Sequence, residues 1–253
     1  MAPTLMDDTL HKTIELLENS DYTVVFSGAG ISVESGIPPF RGPDGLWQTY
    51  DPVFLQLDHF IANPKSSWEM IHKIFYEFIG AAQPNPGHRA VADLEMLGRV
   101  SAVITQNIDA LHQKAGSRTV HEYHGTIRQL ECLQCFRKFP CQKIDPDSLP
   151  PQCPRCGGIL RPDVVFFGEP INPDVMHATL RAAERAAVMI VVGTSGAIMP
   201  AAAIPRFAKD EGAAIVEVNT APSIYTPEIT DLFLQGRAST VLPQLVRALP
   251  KRG

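Results

Sequence analysis

The feature that most constrains this fold is a set of short, nearly continuous apolar runs at residues 23–26, 100–105, 188–192 and 214–218, with a shorter one near Thr240. A strand that is apolar at successive positions has no polar face to turn to water, so both of its faces must be covered. That pattern belongs to a parallel sheet sandwiched between helices. Amphipathic segments lie between the runs. One spans residues 8–18, with Leu10, Ile14 and Leu17 on one face and acidic residues in its first turn. Another spans 173–187, with Asn172 as N-cap, Pro173 in the first turn and Met176, Leu180, Ala183 and Ala187 facing inward. The β-α-β alternation predicts an α/β, Rossmann-like, doubly wound parallel sheet with its ligand crevice at the carboxyl ends of the strands.

Two stretches interrupt the alternation, and the sequence is read as a discontinuous large domain with insertions. Residues 1–33, 88–128 and 161–253 are expected to form the Rossmann-like domain. Residues 34–87, rich in aromatics and loops, and 129–160, which hold every cysteine, form a smaller lobe facing the crevice. With 253 residues, 45% hydrophobic and 19% charged, the chain can bury a sizeable core and carry such a module. A net charge of −5 offers no general attraction to nucleic acid or anionic lipid. The first residues lack a basic segment followed by an apolar run, so the expected location is the cytoplasm. Residues 186–205 carry no charge over a length close to a membrane span, but Gly193, Gly196 and Pro200 break them, and they read as a buried strand running into a loop.

Cys132 and Cys135, then Cys153 and Cys156, form two C-x-x-C pairs separated by seventeen residues, the spacing of a zinc ribbon. Each knuckle can fill two corners of a tetrahedron. Four sulfurs leave no open position for water, so such a zinc is structural. Cys141 is a spare thiol. Disulfides are the competing reading, disfavoured without a secretory signal.

Gly28, Ala29 and Gly30 follow the first strand where a Rossmann-like sheet cradles a pyrophosphate; tight packing or loop geometry is the competing reading. A dehydrogenase fingerprint would need a third glycine where Val33 stands, so hydride transfer is disfavoured. Gly193, Thr194 and Ser195, and separately Asn219, follow later strands and offer small polar groups to ribose and phosphate; turn chemistry or capping is the competing reading. Gln106, Asn107, Ile108 and Asp109 follow the second strand, where they either cap the next helix or hold a nicotinamide and its ribose.

Read in order, Gly28-Ala-Gly-Ile-Ser-Val-Glu-Ser-Gly-Ile-Pro-Pro-Phe-Arg-Gly, Thr105-Gln-Asn-Ile-Asp, His124-Gly, the two cysteine knuckles, Arg161-Pro-Asp-Val-Val-Phe-Phe-Gly-Glu169 and Gly193-Thr-Ser resemble the sirtuin family, from about Tyr22 to Leu249. The resemblance implies an NAD-dependent protein lysine deacylase with one structural zinc. It places Ala29, Gly30, Phe40 and Arg41 along the dinucleotide, Gln106, Asn107, Ile108 and Asp109 around the nicotinamide and its ribose, and Ser195 and Asn219 on the rest of NAD. Val165, Phe166, Phe167, Gly168 and Glu169 would receive an acyl-lysine peptide as an added strand, with Phe167 walling the acyl tunnel. In the reaction so implied, the acyl oxygen attacks the ribose carbon as nicotinamide departs, giving an alkylimidate. His124 then acts as general base on a ribose hydroxyl, Asn107 shares the catalytic centre, and free lysine and O-acyl-ADP-ribose result. Among the eight histidines, His112 and His121 are rivals, and the His-Gly motif selects His124.

Sirtuins that prefer acidic acyl groups carry a Tyr and an Arg where this chain has His72 and Phe75, so acetyl or a longer apolar acyl group is expected. The expected partners are acyl-lysine proteins or peptides, with no nucleic acid and no membrane, and the expected state is a monomer. The rival functions are a protein mono-ADP-ribosyltransferase and a zinc-ribbon regulator or NAD sensor; the acyl-tunnel motif and His124 favour deacylation.

Overall fold

The computed structural model of the chain describes residues 5–40, 42, 45–141 and 144–250. In chain order its strands are β1 (Thr23–Ser27), β2 (Ala102–Thr105), β3 (Val120–Glu122), β4 (Gly125–Cys132), β5 (Lys138–Pro140), β6 (Leu160–Val164), β7 (Val188–Val192), β8 (Ala214–Asn219) and β9 (Leu232–Gln235). Its α-helices are α1 (Leu5–Asn19), α2 (Leu46–Thr49), α3 (Leu57–Ala62), α4 (Pro64–Ile71), α5 (Pro86–Met96), α6 (Leu111–Ala115), α7 (Pro173–Glu184), α8 (Ala203–Asp210) and α9 (Ala238–Ala248).

Six strands form one sheet in the order β3-β2-β1-β7-β8-β9, with every adjacent pair parallel. The apolar runs are explained by the pleat. Val25, Val103, Ile190 and Val216 point to one face, against Ile14 and Leu17 of α1, Val91 and Leu94 of α5 and Leu242 and Leu245 of α9. Val24, Phe26, Ile104, Met189 and Ile215 point to the other, against Ala182 and Ala183 of α7 and Ile204 and Ala208 of α8. The doubly wound fold expected from the sequence is therefore present.

Two local expectations are corrected. Thr240 lies in α9 and not in a strand, because Val241, Leu242 and Leu245 recur at helical spacing and present one buried face. The last strand is β9, an edge strand. The Asn172 cap is present, its side chain accepting from Asp174 and Val175 N–H at 2.9 and 3.3 Å. Met176 and Ala183 face inward as expected, joined by Thr179 and Ala182, whereas Ala187 does not, since the helix ends at Glu184 and the exposed Ala187 already donates to Tyr22 O at 2.9 Å. No helix among the described residues is long and apolar enough to cross a membrane. Residues 186–205 run through β7 and its loop into the start of α8.

The small lobe joins α2, α3, α4 and a wider, π-helical stretch (His72–Ile79) to a three-stranded antiparallel sheet, β5-β4-β6. They share one core: Phe60, Trp68, Phe75 and Ile79 from the helical part meet Ile127, Leu130, Leu160 and Val164 from the sheet. Trp68 is fully buried, and its indole N–H donates to Leu160 O at 2.7 Å.

Candidate functional site

The site forms where the chain departs in opposite directions from neighbouring strands β1 and β7, the switch point at which open α/β sheets hold ligands. Gly28 N–H donates to Val192 O at 3.0 Å and Gly30 N–H to Gly193 O at 2.8 Å. A Cβ on Gly30 would come within 2.7 Å of Gly193 Cα, and Gly193 itself has φ 59. These glycines are therefore required by the close packing of two loops against each other as well as by any ligand. Gln106 Nε2 reaches Thr194 Oγ1 at 3.2 Å, and Asn219 Nδ2 reaches Thr194 O at 2.9 Å, so the loops after β1, β2, β7 and β8 are tied into one crevice rim. Ser195 is exposed on it.

Behind the rim lies a small pocket lined by Ala29, Ser32, Ile37, Phe40, Ile79, Asn107, Ile108 and Asp109. Asn107 commits its amide hydrogens to Gly28 O and Ser32 Oγ, both at 3.1 Å, which fixes its orientation and leaves Oδ1 uncommitted. Asp109 accepts Leu111 N–H at 2.9 Å and the Ser32 hydroxyl at 2.7 Å. Burial raises its pKa, opposed by those two hydrogen bonds and by Lys114. The result is a buried, rigid set of amide and carboxyl groups suited to a neutral carboxamide.

Beneath the pocket lies a polar layer that sequence reasoning missed. Asn85 caps α5 and donates to Ile31 O at 2.7 Å, while His88 Nε2 lies 3.4 Å from Ser32 Oγ. His112 Nε2 lies 2.8 Å from Ser27 Oγ, and the two imidazoles meet edge to face at 5.1 Å. Burial lowers His88 to about 4 and, with the neighbouring His88, His112 to about 3. Both are therefore neutral in the folded protein while the unfolded chain protonates them near 6.5. Stability contributed by these groups is complete above pH 6.5 and is lost as pH falls toward 3–4. Acidifying from pH 7.5 to 5 should lower the unfolding free energy by roughly 3–4 kcal/mol through this pair. Asp109 shifts in the opposite sense, so wild type should be compared with His112→Gln in denaturant titrations at several pH values. The variant should show a shallower slope by close to one proton, and equal slopes would refute the assignment.

His124 follows β3 at the edge of the crevice. Its Nδ1 lies 3.0 Å from Gln106 O, and a carbonyl can only accept, so Nδ1 carries the hydrogen and Nε2 holds the free lone pair. Burial lowers its pKa, opposed by the bond to Gln106, so the ring is neutral at pH 7. The glycine after it is needed for a separate reason: Gly125 has φ 82, and a Cβ there would strike the Asp163 backbone of β6. The rival His112 is buried, and His121, on β3 at the sheet edge, stands opposite Ile104 of β2.

The segment after β6 leaves His124 directly. Val165 N–H donates to His124 O at 2.9 Å, Phe166 N–H to Glu169 Oε2 at 2.8 Å and Phe167 N–H to Leu55 O at 2.9 Å. Gly168 N–H makes no hydrogen bond among the described residues. Phe167 is 41% exposed and begins a string of rings. Its centroid is 6.4 Å from that of Trp47, which lies 5.2 Å from Phe40 at the pocket. A row of aromatic rings thus links the surface segment to the pocket. Trp47 carried no sequence motif; the neighbouring Phe40 was the available signal.

The four cysteine sulfurs of Cys132, Cys135, Cys153 and Cys156 lie within 4.8 Å of one another. Cys132 and Cys156 Sγ are 3.5 Å apart, Cys135 and Cys153 Sγ 3.8 Å. Zinc–sulfur bonds of about 2.3 Å in a tetrahedron require sulfurs about 3.8 Å apart, whereas a disulfide requires about 2.05 Å. Gln134 and Cys135 N–H point at Cys132 Sγ, at 3.4 and 3.5 Å, as donors to a thiolate. The cluster fits a structural zinc, and Cys141 stands outside it. Of the residues expected to contact the dinucleotide, Ala29, Gly30, Phe40, Gln106, Asn107, Ile108, Asp109, Ser195 and Asn219 line or border the crevice, and Arg41 lies outside the described residues.

The Sir2 family profile matches residues 28–200. NAD-dependent protein deacylase 2 of Pyrobaculum aerophilum is 49% identical over 239 residues, covering 94% of this chain and 95% of that relative. A solved Sir2 homologue–NAD complex superposes with TM-score 0.87 at 42% identity, covering 94% of this chain and 92% of that one. A Sir2 histidine-to-alanine variant solved with a deacetylated p53 peptide and 3'-O-acetyl ADP ribose superposes with TM-score 0.83 at 33% identity, covering 94% and 97%.

Proposed function

Because this chain belongs to the Sir2 family, we propose that its crevice takes NAD and an acyl-lysine peptide together and transfers the acyl group from lysine to the ribose. The protein is an NAD-dependent protein deacylase. The single observation that carries the assignment of its chemistry is His124, whose Nδ1 is engaged by Gln106 O so that Nε2 keeps its lone pair, and whose own carbonyl holds Val165 at the start of the segment Val165–Glu169.

Bound NAD supplies an electrophilic ribose carbon from which nicotinamide leaves. Asn107 and Asp109 orient the carboxamide and ribose, and Gly28, Ala29, Gly30, Phe40, Gln106 and Ile108 enclose them. Gly193, Thr194, Ser195 and Asn219 hold the remainder of the dinucleotide. Phe167 and Trp47 cover the acyl group with their rings and keep bulk water from it. His124 Nε2 accepts the proton of a ribose hydroxyl as that oxygen attacks the acyl carbon, whose own oxygen has bonded the ribose carbon that nicotinamide leaves; the acyl C–N bond breaks, the lysine departs as an amine, and one water completes O-acyl-ADP-ribose. Val165, Phe166, Phe167, Gly168 and Glu169 bind the peptide main chain, with Gly168 N–H as a donor to it. Zinc supplies structure only, at Cys132, Cys135, Cys153 and Cys156.

The finer reading is an enzyme for acetyl or longer apolar acyl groups. Phe75 is fully buried, and His72 Nδ1 lies 3.3 Å from Glu77, so neither offers a carboxylate a free cation. We read the enzyme as a cytoplasmic monomer acting on proteins and not on nucleic acid, which the net charge of −5 supports. The large domain is taken as 1–33, 88–128 and 161–253, and the small lobe as 34–87 and 129–160.

Mass spectrometry tests these readings in one experiment, with acetyl-lysine and succinyl-lysine forms of one peptide incubated with enzyme and NAD. Equal amounts of nicotinamide, free lysine peptide and O-acetyl-ADP-ribose are expected, with acetyl turned over faster than succinyl. ADP-ribose attached to protein would indicate ADP-ribosyl transfer, and unconsumed NAD would indicate a sensor. Faster turnover of succinyl would reverse the acyl preference alone.

A further inference from the structure

The segment assigned to the peptide is tied to β4 and β6 by three charged side chains that carry no chemical step, Glu131, Arg161 and Glu169. Arg161 on β6 stands opposite Glu131 on β4 in the strand register, and its guanidinium reaches Glu131 Oε2 at 3.1 Å. Its other terminal nitrogen reaches Glu169 Oε1 at 2.7 Å. The Phe166 ring packs against the same guanidinium, 5.1 Å from Cζ to centroid. Glu169 returns the connection to the main chain. Its second carboxylate oxygen accepts Phe166 N–H at 2.8 Å, and its own N–H donates to Phe166 O at 3.0 Å, closing a turn with Gly168 at φ 88. Arg161 and Glu169 side chains are only 13% and 17% exposed.

These contacts form a chain of dependence. The turn at 166–169 is shaped by the Glu169 carboxylate, the carboxylate is placed by Arg161, and Arg161 is placed by Glu131. Charge-assisted bonds in a partly buried setting are the strong ones, and removing the shared cation leaves two carboxylates facing each other without a partner. Glu169 would then turn toward water and release Phe166 N–H. An incoming peptide would have to order the turn as well as itself, and that ordering lowers affinity. We propose that Arg161 is a positioning residue for the acyl-lysine peptide, preforming the turn to which the peptide adds. This rests on the assignment of Val165–Glu169 as the peptide site. Among the described residues no hydrogen bond or ion pair joins the triad to the NAD crevice or to the His124 ring, so peptide affinity is the quantity that Arg161 controls. Glu131 immediately precedes the zinc ligand Cys132, and the same contacts therefore link the order of the knuckle to that of the peptide turn.

The test measures steady-state constants of Arg161→Met, Arg161→Lys and Glu131→Gln with zinc bound, together with zinc per chain. Arg161→Met should raise KM for an acetyl-lysine peptide by about 10-fold or more, as expected for loss of a charged hydrogen bond. KM for NAD, kcat at saturating peptide and zinc content should be unchanged. Arg161→Lys should recover much of the affinity, and Glu131→Gln should raise the peptide KM by a smaller factor. An unchanged peptide KM would overturn the proposal, as would a loss shared equally by NAD and kcat. If Arg161→Met fails to fold, the isosteric Glu131→Gln carries the same split. Hydrogen exchange of wild type with and without peptide separates the two readings. Missing protection at residues 166–168 removes the peptide site itself, whereas protection with an unchanged KM in the variants removes only the role of Arg161.

Discussion

Replacing His124 with alanine is expected to slow deacylation by at least about a hundredfold while fold, zinc content and NAD affinity persist, the range typical for loss of a general base. The imidazole makes one hydrogen bond to the main chain, at Gln106 O, and it sits at the crevice edge, so its loss leaves both cores intact. The bond to Gln106 keeps Nε2 free of hydrogen, and burial favours the neutral ring. In wild type the rate should therefore hold as pH falls to the ordinary imidazole range and decline only below pH 6.5. Steady-state turnover against pH, with NAD affinity measured by calorimetry, checks both parts. A folded His124→Ala protein with undiminished turnover would end the assignment.

Removing zinc should have the other large effect. The two C-x-x-C knuckles close the end of the small lobe, and Cys132 and Cys153 are themselves buried in the core that holds Phe60, Trp68 and Phe75. Structural zinc contributes roughly 10–16 kcal/mol in isolated zinc-finger peptides, far more than the remaining contacts of a knuckle supply. Both tryptophans of the chain, Trp47 and Trp68, pack in or against this core, so intrinsic tryptophan fluorescence reports the small lobe alone. Chelation should shift that emission to the red and abolish deacylation, and Cys153→Ser should behave like the chelated protein. Cys141→Ser should not, because Cys141 lies outside the cluster. Native fluorescence and full activity after complete metal removal would contradict a structural zinc.

How much of this was legible beforehand depended on how far apart the interacting residues lie. The central strands could be read because Val24, Val25 and Phe26, or Met189, Ile190 and Val191, are covered on both faces and leave no polar alternation. The edges could not. β3 is three residues of intermediate burial, and Leu232 and Phe233 of β9 are only half-buried. The apolar stretch around Thr240 looked like a strand because Val241 and Leu242 are adjacent; Leu245, completing the helical face, was the signal that decided otherwise. The cysteine cluster was legible because ligand spacing along the chain reflects a local turn. The layer of Ser32, His88 and His112 was not, because each partner comes from a different element, 56 to 85 residues away from the serine it meets. Asn85 could have been found from Asn-Pro at the start of a helical pattern. The Gly28–Gly30 turn was open to two readings, room for phosphate or tight packing, and the packing is present: Gly30 and Gly193 make room for each other.

The most direct measurement is a crystal structure of the enzyme with an acetyl-lysine peptide and an unreactive NAD analogue bound together. His124 Nε2 should lie within hydrogen-bond reach of a ribose hydroxyl, roughly 2.6–3.2 Å, with the carboxamide against Asn107 and Asp109 and the acyl chain beside Phe167. An imidazole remote from the sugar, or a carboxamide seated elsewhere, would contradict the account.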